Sequence, residues 1–170
     1  MKRARLLLLA VTLAFGFSTV LYAATKTTTL QVAAIVQSTA DVNATILSFG
    51  TIVDPVLGGN HTADGFINVT MPAQQPYTIT LDRGFFYNAN GVATRHMAGP
   101  GFISYKLFQP DGTTEWGDNG FGNTYPDGSP LQASGTGNVQ SHRVRGVTQP
   151  PSTPVASGTY SDSVQVTVHF

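Results

Sequence analysis

Hydrophobic and polar residues alternate in several short stretches of the chain, and glycine, proline, asparagine and aspartate separate those stretches. A period of two residues indicates half-buried β-strands, and turn-forming residues between them indicate antiparallel connections. No window of a dozen residues keeps the spacing of an amphipathic helix. The predicted strands are Thr27–Gln37, Val42–Phe49, Phe66–Met71, Tyr77–Leu81, Ile103–Phe108, Val139–Val147 and Tyr160–Phe170. The pattern therefore predicts an all-β antiparallel sandwich or barrel.

The alternation also predicts which side chains face the core. Two strands have clear inner faces, with the residues Ile67, Val69 and Met71 in one and Tyr77, Ile79 and Leu81 in the other. The stretch Val139–Val147 has apolar and polar residues on both faces, which predicts an edge strand. The segment Phe85–Gly101 is predicted to be a loop in which Arg95 and Met97 are held in place. The Gly/Asn/Asp-rich segment Gly117–Pro130 is the longest predicted loop.

The last predicted strand has the clearest alternation in the chain. Its apolar face consists of Val164, Val166, Val168 and Phe170. The first predicted strand, Thr27–Gln37, has a similar apolar face, formed by Leu30, Val32, Ala34 and Val36. Taken alone, this first stretch is most simply the first strand of its own domain. The alternative is a strand that completes the sheet of another molecule.

The N-terminus has the pattern of a secretory signal peptide. Lys2, Arg3 and Arg5 precede an apolar run that ends at the small residues Ala23 and Ala24. The predicted organisation is thus a signal peptide at 1–24, an N-terminal strand at 25–37 and a β-domain at 38–170. We expect an exported protein.

Composition narrows the function classes. The chain has nine Lys and Arg against nine Asp and Glu, and removal of the signal peptide leaves six against nine, a net charge of about −3. Without a basic patch, nucleic-acid binding is disfavoured. The chain has no cysteine, which excludes cysteine catalysis and thiolate metal sites.

Candidate chemistry in the sequence is sparse. The four histidines, which lack the close spacing of metal ligands, are interpreted as structural or surface residues: His61, His96, His142 and His169. Asp82 and Asp118 lie beside glycine in predicted turns, where carboxylates usually form the turn. The sequence contains no nucleophile elbow and no phosphate-binding loop. We therefore predict no enzyme activity, no cofactor and no metal.

Two aromatic residues each allow two interpretations. Trp116, followed by the stretch Gly117–Phe121, could stack on sugar rings, which would make the chain a carbohydrate-binding module, but burial in the core is the favoured interpretation. Tyr160 follows Gly158 by two residues, the spacing of a tyrosine corner, in which the hydroxyl bonds to upstream backbone. A simple buried aromatic is the alternative for Tyr160.

Several motifs together resemble the spore coat protein U domain family, which includes the major subunits of archaic chaperone–usher pili. The motifs are Val42–Gly50, Ile67–Thr70, Pro76–Asp82, Arg95–Met97, Ile103–Phe108, Trp116–Asp118, Ser134–Gly137, Gly158–Asp162 and Val164–Phe170. They cover nearly all of the exported chain. The most specific is Gly-x-Tyr-x-Asp at 158–162 followed by the alternating terminus.

The resemblance implies an incomplete immunoglobulin-like sandwich with six strands plus an N-terminal donor strand. Such subunits are held by a periplasmic chaperone, pass an outer-membrane usher and polymerise with copies of themselves at the cell surface. By position, the donor side chains would be Leu30, Val32, Ala34 and Val36, and the strand bordering the acceptor groove would carry Val164, Val166, Val168 and Phe170. The resemblance implies that the chain is a pilus subunit that supports adhesion and biofilm formation. The adhesion target would be a surface or a glycan. The alternatives are a spore-coat or surface-layer protein of the same fold and the carbohydrate-binding module.

The sequence departs from the family at one pair of positions. Family members commonly have cysteines where this chain has Ala40 and Met71, and these cysteines form a disulfide. We expect Ala40 and Met71 to pack together in its place.

Overall fold

The computed structural model describes residues 31, 33–34, 40–52, 59–151 and 154–170. The chain divides into two compact units, Met1–Ile35 and Val36–Phe170. In the first unit the described residues are Gln31, Ala33 and Ala34, and they have no regular secondary structure. The predicted signal peptide lies outside the described residues.

The second unit is an antiparallel β-sandwich, which confirms the predicted fold class. Its strands are β1 Asp41–Ala44, β2 Thr62–Thr70, β3 Pro76–Leu81, β4 Arg95–Ala98, β5 Phe102–Phe108, β6 Leu131–Ser134, β7 Val139–Thr148 and β8 Val166–His169. One sheet has the order β1-β2-β7-β5-β4 and the other has the order β6-β3-β8. No helix among these residues is long and apolar enough to cross a membrane.

The core lies between the two sheets and follows the predicted alternation. The predicted inward residues in β2 and β3, together with Met71 directly after β2, are all at most 3% exposed: Ile67, Val69, Met71, Tyr77, Ile79 and Leu81. Their polar neighbours in sequence face outward, as the pleat of a strand requires. The register follows from this pattern, because a slip of one residue would expose every core side chain.

Two strand predictions in the middle of the chain are wrong. β7 is a central strand between β2 and β5, not an edge strand. Its inner face includes Gly146, over which Leu47 and Phe49 pack, so the buried face carries few large residues of its own. β4 lies inside the segment that was predicted to be a loop. The alternation did not predict this strand because two polar residues, Arg95 and His96, are fully buried in it. The prediction that Arg95 is held in place is confirmed.

The first strand of the domain is shorter than predicted. β1 pairs with β2 up to Ala44, and the Thr45 amide then donates to the Phe66 carbonyl at 2.9 Å. The Phe66 amide donates not to backbone but to Thr45 Oγ1, at 2.8 Å. A side chain thus takes the place of a ladder partner, and regular pairing ends there.

The last strand is also shorter than predicted, because the chain changes sheets. Ser161 and Ala98 exchange backbone hydrogen bonds of 2.9 and 3.0 Å, so the segment first lies along β4. It then crosses to the other sheet, where β8 pairs with β3.

Ala40 and Met71 lie at the same end of one strand pair, and their direct packing stays a prediction. Asp41 pairs with Thr70, so the next residues outward, Ala40 and Met71, lie at the same end of the strand pair. Ala40 is half-buried and packs against the core cluster that contains Met71. This arrangement agrees with apolar packing at these two positions.

Candidate functional site: an open groove between the sheets

An open groove of about 1190 Å³ runs along one side of the sandwich. One wall, the first bank, is formed by residues 44–52, and the opposite wall, the second bank, by residues 154–164 together with Val166. The floor consists of inner-face side chains from both sheets, namely Ile67, Leu81, Met97, Ile103, Tyr105, Leu107 and Val144. The groove is therefore a gap between the two sheets that exposes the side of the apolar core.

The first bank is held by side chains more than by backbone pairing. Beyond Thr45 it makes no ladder hydrogen bonds within the described residues. Leu47 and Phe49 are half-buried and pack against the core, whereas Ile46 is 90% exposed. A Cβ on Gly146 would lie 2.8 Å from both Leu47 Cδ2 and Phe49 Cζ, so this glycine provides the space that the two side chains occupy.

The second bank leads into β8, which is the edge strand of its sheet. β8 pairs with β3 on one side, and its other side has no partner strand among residues that the structure describes. An edge strand of this kind presents unpaired backbone donors and acceptors. The predicted groove residues Val164, Val166 and Val168 are all half-buried and pack against the core.

Some of the predicted site residues line the groove, and others do not or lie outside the described residues. Val164 and Val166 line the groove, Val168 faces the core on the same strand face, and Phe170 is 60% exposed. Three predicted donor residues lie outside the described residues: Leu30, Val32 and Val36. The fourth, Ala34, is described and exposed.

Sequence patterning overlooked a polar contact that crosses the groove. The Tyr105 hydroxyl, at the floor, donates to Asp162 Oδ2 on the second bank at 2.6 Å. Asp162 Oδ1 accepts from the amides of Phe85 at 3.0 Å and Phe86 at 3.3 Å. Burial and the neighbouring carboxylate of Asp162 raise the pKa of Tyr105, so this phenol stays protonated as a donor. The available signal was the alternation of Ile103–Phe108, which places Tyr105 on the inner face.

The β6 edge of the smaller sheet, which is the edge away from β8, is covered by the segment around Trp116, which bridges to Ser129 just before β6. Trp116 is 0% exposed, and its indole N–H donates to the Ile79 carbonyl at 3.0 Å. This confirms the core interpretation and makes stacking of a sugar on Trp116 impossible. Arg95 lies nearby, with its guanidinium 4.0 Å from the ring centre of Tyr125. We call the residues Arg95, Trp116 and Tyr125 the closed side.

Arg95 binds backbone rather than a carboxylate. Its Nε and Nη2 donate to the Asp82 carbonyl at 2.9 and 2.6 Å, and Nη2 also reaches the carbonyls of Trp116 at 2.9 Å and Leu81 at 3.2 Å. Burial lowers the pKa of Arg95, and the surrounding acidic groups oppose that shift. The side chain thus connects the end of β3 with the segment after β5.

The histidines have separate local contacts. His142 Nε2 lies 2.8 Å from the Tyr77 hydroxyl, and His169 Nε2 lies 3.1 Å from Thr80 Oγ1. Burial lowers the pKa of His142 and raises that of Tyr77. His96 is buried with its ring edge-on to Phe102. Across the described ranges, no three His, Cys, Asp or Glu side chains are grouped to hold a metal ion.

Tyr160 makes the bond expected of a tyrosine corner. Its hydroxyl donates to the carbonyl of Ala156, four residues upstream, at 2.7 Å. The resulting compact turn forms part of the second bank. This contact favours the corner interpretation over a simple buried aromatic.

Comparison with known proteins gives a family and a fold. Residues 26–167 match the family described as Spore Coat Protein U domain. No curated protein matches the chain. Among solved structures, a similar chain occurs in the crystal structure of the CsuC–CsuE chaperone–tip adhesion subunit pre-assembly complex from archaic chaperone–usher Csu pili of Acinetobacter baumannii. The sequence identity is 21% and the TM-score is 0.56, and the match covers 79% of the present chain but 40% of the Acinetobacter chain.

Proposed function

Because the chain belongs to the Spore Coat Protein U domain family, we propose that it is a structural subunit of a surface fibre assembled by donor-strand exchange. In this proposal the N-terminal strand of one copy enters the groove of the next. The donor side chains are Leu30, Val32, Ala34 and Val36. The open groove beside the edge strand β8 is the observation that carries the proposal. No catalytic step is involved.

The donor stretch and the groove strand have complementary patterns. Each places four apolar side chains at alternate positions, over 30–36 in one and over 164–170 in the other. A seven-residue strand is roughly 20 Å long, so the two would match in length. An inserted strand would pair with the free edge of β8 and cover its half-buried valines, which is β-augmentation. Burial of the three larger donor side chains would contribute roughly 5–9 kcal/mol before the costs of association.

The assembly pathway is a further part of the proposal. The solved structure that shares the fold comes from a chaperone–usher system. We infer that the partners of this chain are a periplasmic chaperone and an outer-membrane usher. We also infer that it polymerises with neighbouring copies of itself and is located at the cell surface. Adhesion and biofilm formation are the proposed roles. A spore-coat or surface-layer component is the variant with the same groove and a different final assembly.

The decisive experiment deletes the donor stretch from the chain and then adds it back as a separate peptide. Deleting residues 25–37 from the exported chain should abolish polymer formation, measured by size-exclusion chromatography with light scattering. A synthetic peptide of residues 25–37 should then bind the shortened chain. A peptide in which Leu30, Val32 and Val36 are threonine should fail, because polar side chains cannot replace the apolar burial.

The matched control peptide carries the same number of substitutions on the other face, at Gln31, Ala33 and Ile35. It should bind nearly as well as the natural peptide, because alternate residues of a strand point to opposite faces. If deletion of 25–37 left the oligomeric state unchanged, the donor-strand proposal would be wrong. Equal binding of the two substituted peptides would also contradict it.

A further inference from the structure

We propose that Phe49, Tyr105 and Asp162 form a cross-groove link that holds the two banks at the separation an incoming strand needs. This inference rests on the proposed function and assigns three positioning residues to the groove. Phe49 belongs to the first bank, Tyr105 to the floor and Asp162 to the second bank. One aromatic ring therefore contacts both walls of the groove.

The first half of the link is an aromatic contact. The rings of Phe49 and Tyr105 meet edge to face, with centroids 6.4 Å apart and an interplanar angle of 62°. Phe49 can approach because Gly146 has no side chain at the point where the Phe49 ring lies. Since the first bank makes no ladder bonds beyond Thr45 to any described residue, side-chain packing of this kind determines its position there.

The second half of the link is a charge-assisted hydrogen bond. Tyr105 is 4% exposed, and its hydroxyl donates to Asp162 at 2.6 Å. The carboxylate is fixed from behind by the amides of Phe85 and Phe86. The space at Gly84 is also required, since a Cβ there would lie 2.3 Å from Asp162 Oδ2. The Asp162 carboxylate therefore has one defined position. Because Asp162 belongs to the second bank, its bond to Tyr105 fixes the second bank relative to the groove floor.

The physical reason for such a link is pre-organisation. An empty apolar groove gains free energy by closing on itself, because closure removes apolar surface from water. A strand that enters a collapsed groove would have to reopen it, and that cost would lower its affinity. The cross-groove link holds the banks apart in the empty subunit and so removes this cost from strand uptake.

The test compares two tyrosines that each lose one buried hydroxyl. In the shortened chain, residues 38–170, which lies within the second compact unit and lacks the donor stretch, Tyr105→Phe removes the bond to Asp162 and keeps the ring. The matched control is Tyr77→Phe, because Tyr77 is 3% exposed, bonds to His142 and does not line the groove. Each chain is titrated with a fluorescent peptide of residues 25–37, and anisotropy gives the association rate and the affinity.

We expect Tyr105→Phe to weaken peptide binding by roughly five-fold or more, mainly through a slower association rate, and Tyr77→Phe to leave binding within two-fold of wild type. Asp162→Asn should retain near wild-type binding, since an amide can still accept the backbone bonds and pair with the phenol. Asp162→Ala should bind as weakly as Tyr105→Phe. Amide exchange at Phe85 and Phe86 should rise in Asp162→Ala.

Equal effects of the two tyrosine substitutions, with wild type binding the peptide, would overturn the cross-groove link and leave the proposed function standing. Failure of the wild-type chain to bind the peptide would overturn the proposed function and the link together. Loss of binding in Asp162→Asn equal to that in Asp162→Ala would also contradict the link, because the conservative variant keeps its geometry.

Discussion

The closed side and the groove belong to the same sandwich but differ in where their contacts come from. On the closed side, Trp116 and Arg95 are fully buried and bond to carbonyls of two separate segments, one being β3 with Asp82 and the other the segment at Trp116. Along the groove, the valines of β8 are half-buried and its outer edge has no partner strand among residues 40–52, 59–151 and 154–170. Within the described residues, the chain covers one side of its core and leaves the groove on the other side open.

The largest expected effect is on the closed side. Trp116→Ala should lower the free energy of unfolding by about 3–5 kcal/mol, because it removes a large buried ring and leaves the Ile79 carbonyl without its donor. Urea unfolding followed by circular dichroism measures this. The control is Phe121→Ala, since Phe121 is 45% exposed, and it should cost less than about 1 kcal/mol. Equal losses in the two variants would show that Trp116 does not anchor the closed side.

A smaller loss is expected at Arg95. Arg95→Lys keeps the charge but cannot reach three carbonyls with one ammonium group, so it should cost about 2–3 kcal/mol in urea unfolding. Arg143 is the matched control, because its side chain is 38% exposed and also donates to a carbonyl, that of Pro110 at 2.9 Å. Arg143→Lys should stay within about 0.5 kcal/mol of wild type. A small effect at both positions would mean that lysine satisfies the buried carbonyls as well as arginine does.

The sequence predicts the sandwich better than it predicts the groove. Alternation identified the inner faces of β2 and β3, because large apolar side chains sit at every second residue there. It missed β4, where Arg95 and His96 are buried together, and misjudged β7, where Gly146 leaves its place to side chains from another segment. The link from Tyr105 to Asp162 joins residues 57 positions apart, and no local pattern encodes such a pairing.

The family resemblance supplied what the pattern lacked. It indicated that the valines of the last strand border a groove, and Val164 and Val166 do line one. Phe170 was assigned to the same set and is 60% exposed, because the paired part of β8 ends one residue earlier, at His169. Residues 44–52 form the other bank, which neither pattern nor resemblance predicted, since their position depends on Thr45 ending the pairing of β1.

A pair of valines compares the two sides directly. In the shortened chain, residues 38–170, Val69→Ala in the core should cost about 2 kcal/mol of the free energy of unfolding and Val166→Ala beside the groove about 1 kcal/mol, because Val69 is 0% exposed and Val166 is half-buried. With a saturating peptide of residues 25–37 present, the cost of Val166→Ala should approach that of Val69→Ala. Urea unfolding with and without peptide measures both. If the loss of unfolding free energy in Val166→Ala were the same with and without peptide, the donor strand would not bind beside Val166.

The smallest expected effect is the acid dependence of the closed side. Burial raises the pKa of Asp118, but hydrogen bonds from the Tyr125 amide at 2.6 Å, the Thr124 amide at 2.9 Å and the Thr124 hydroxyl at 2.8 Å together outweigh it. The pKa of Asp118 in the folded chain is therefore below its usual value of about 3.9. A lowered carboxyl pKa stabilises the fold fully above the unfolded-state value, and this stabilisation is lost as the pH falls through the folded-state value.

Asp118→Asn should therefore be less stable than wild type at pH 7 and should lose less of its free energy of unfolding between pH 5 and pH 2. Urea unfolding at pH steps across this window measures the two slopes. Thr124→Val removes the hydroxyl bond to Asp118 and keeps the amide bond, so its acid slope should lie between those of wild type and Asp118→Asn. Identical slopes in all three proteins would assign the acid sensitivity to other carboxylates. The order wild type, Thr124→Val, Asp118→Asn would instead show that hydrogen bonds to the Asp118 carboxylate stabilise the closed side, as those to Asp162 fix the second bank of the groove.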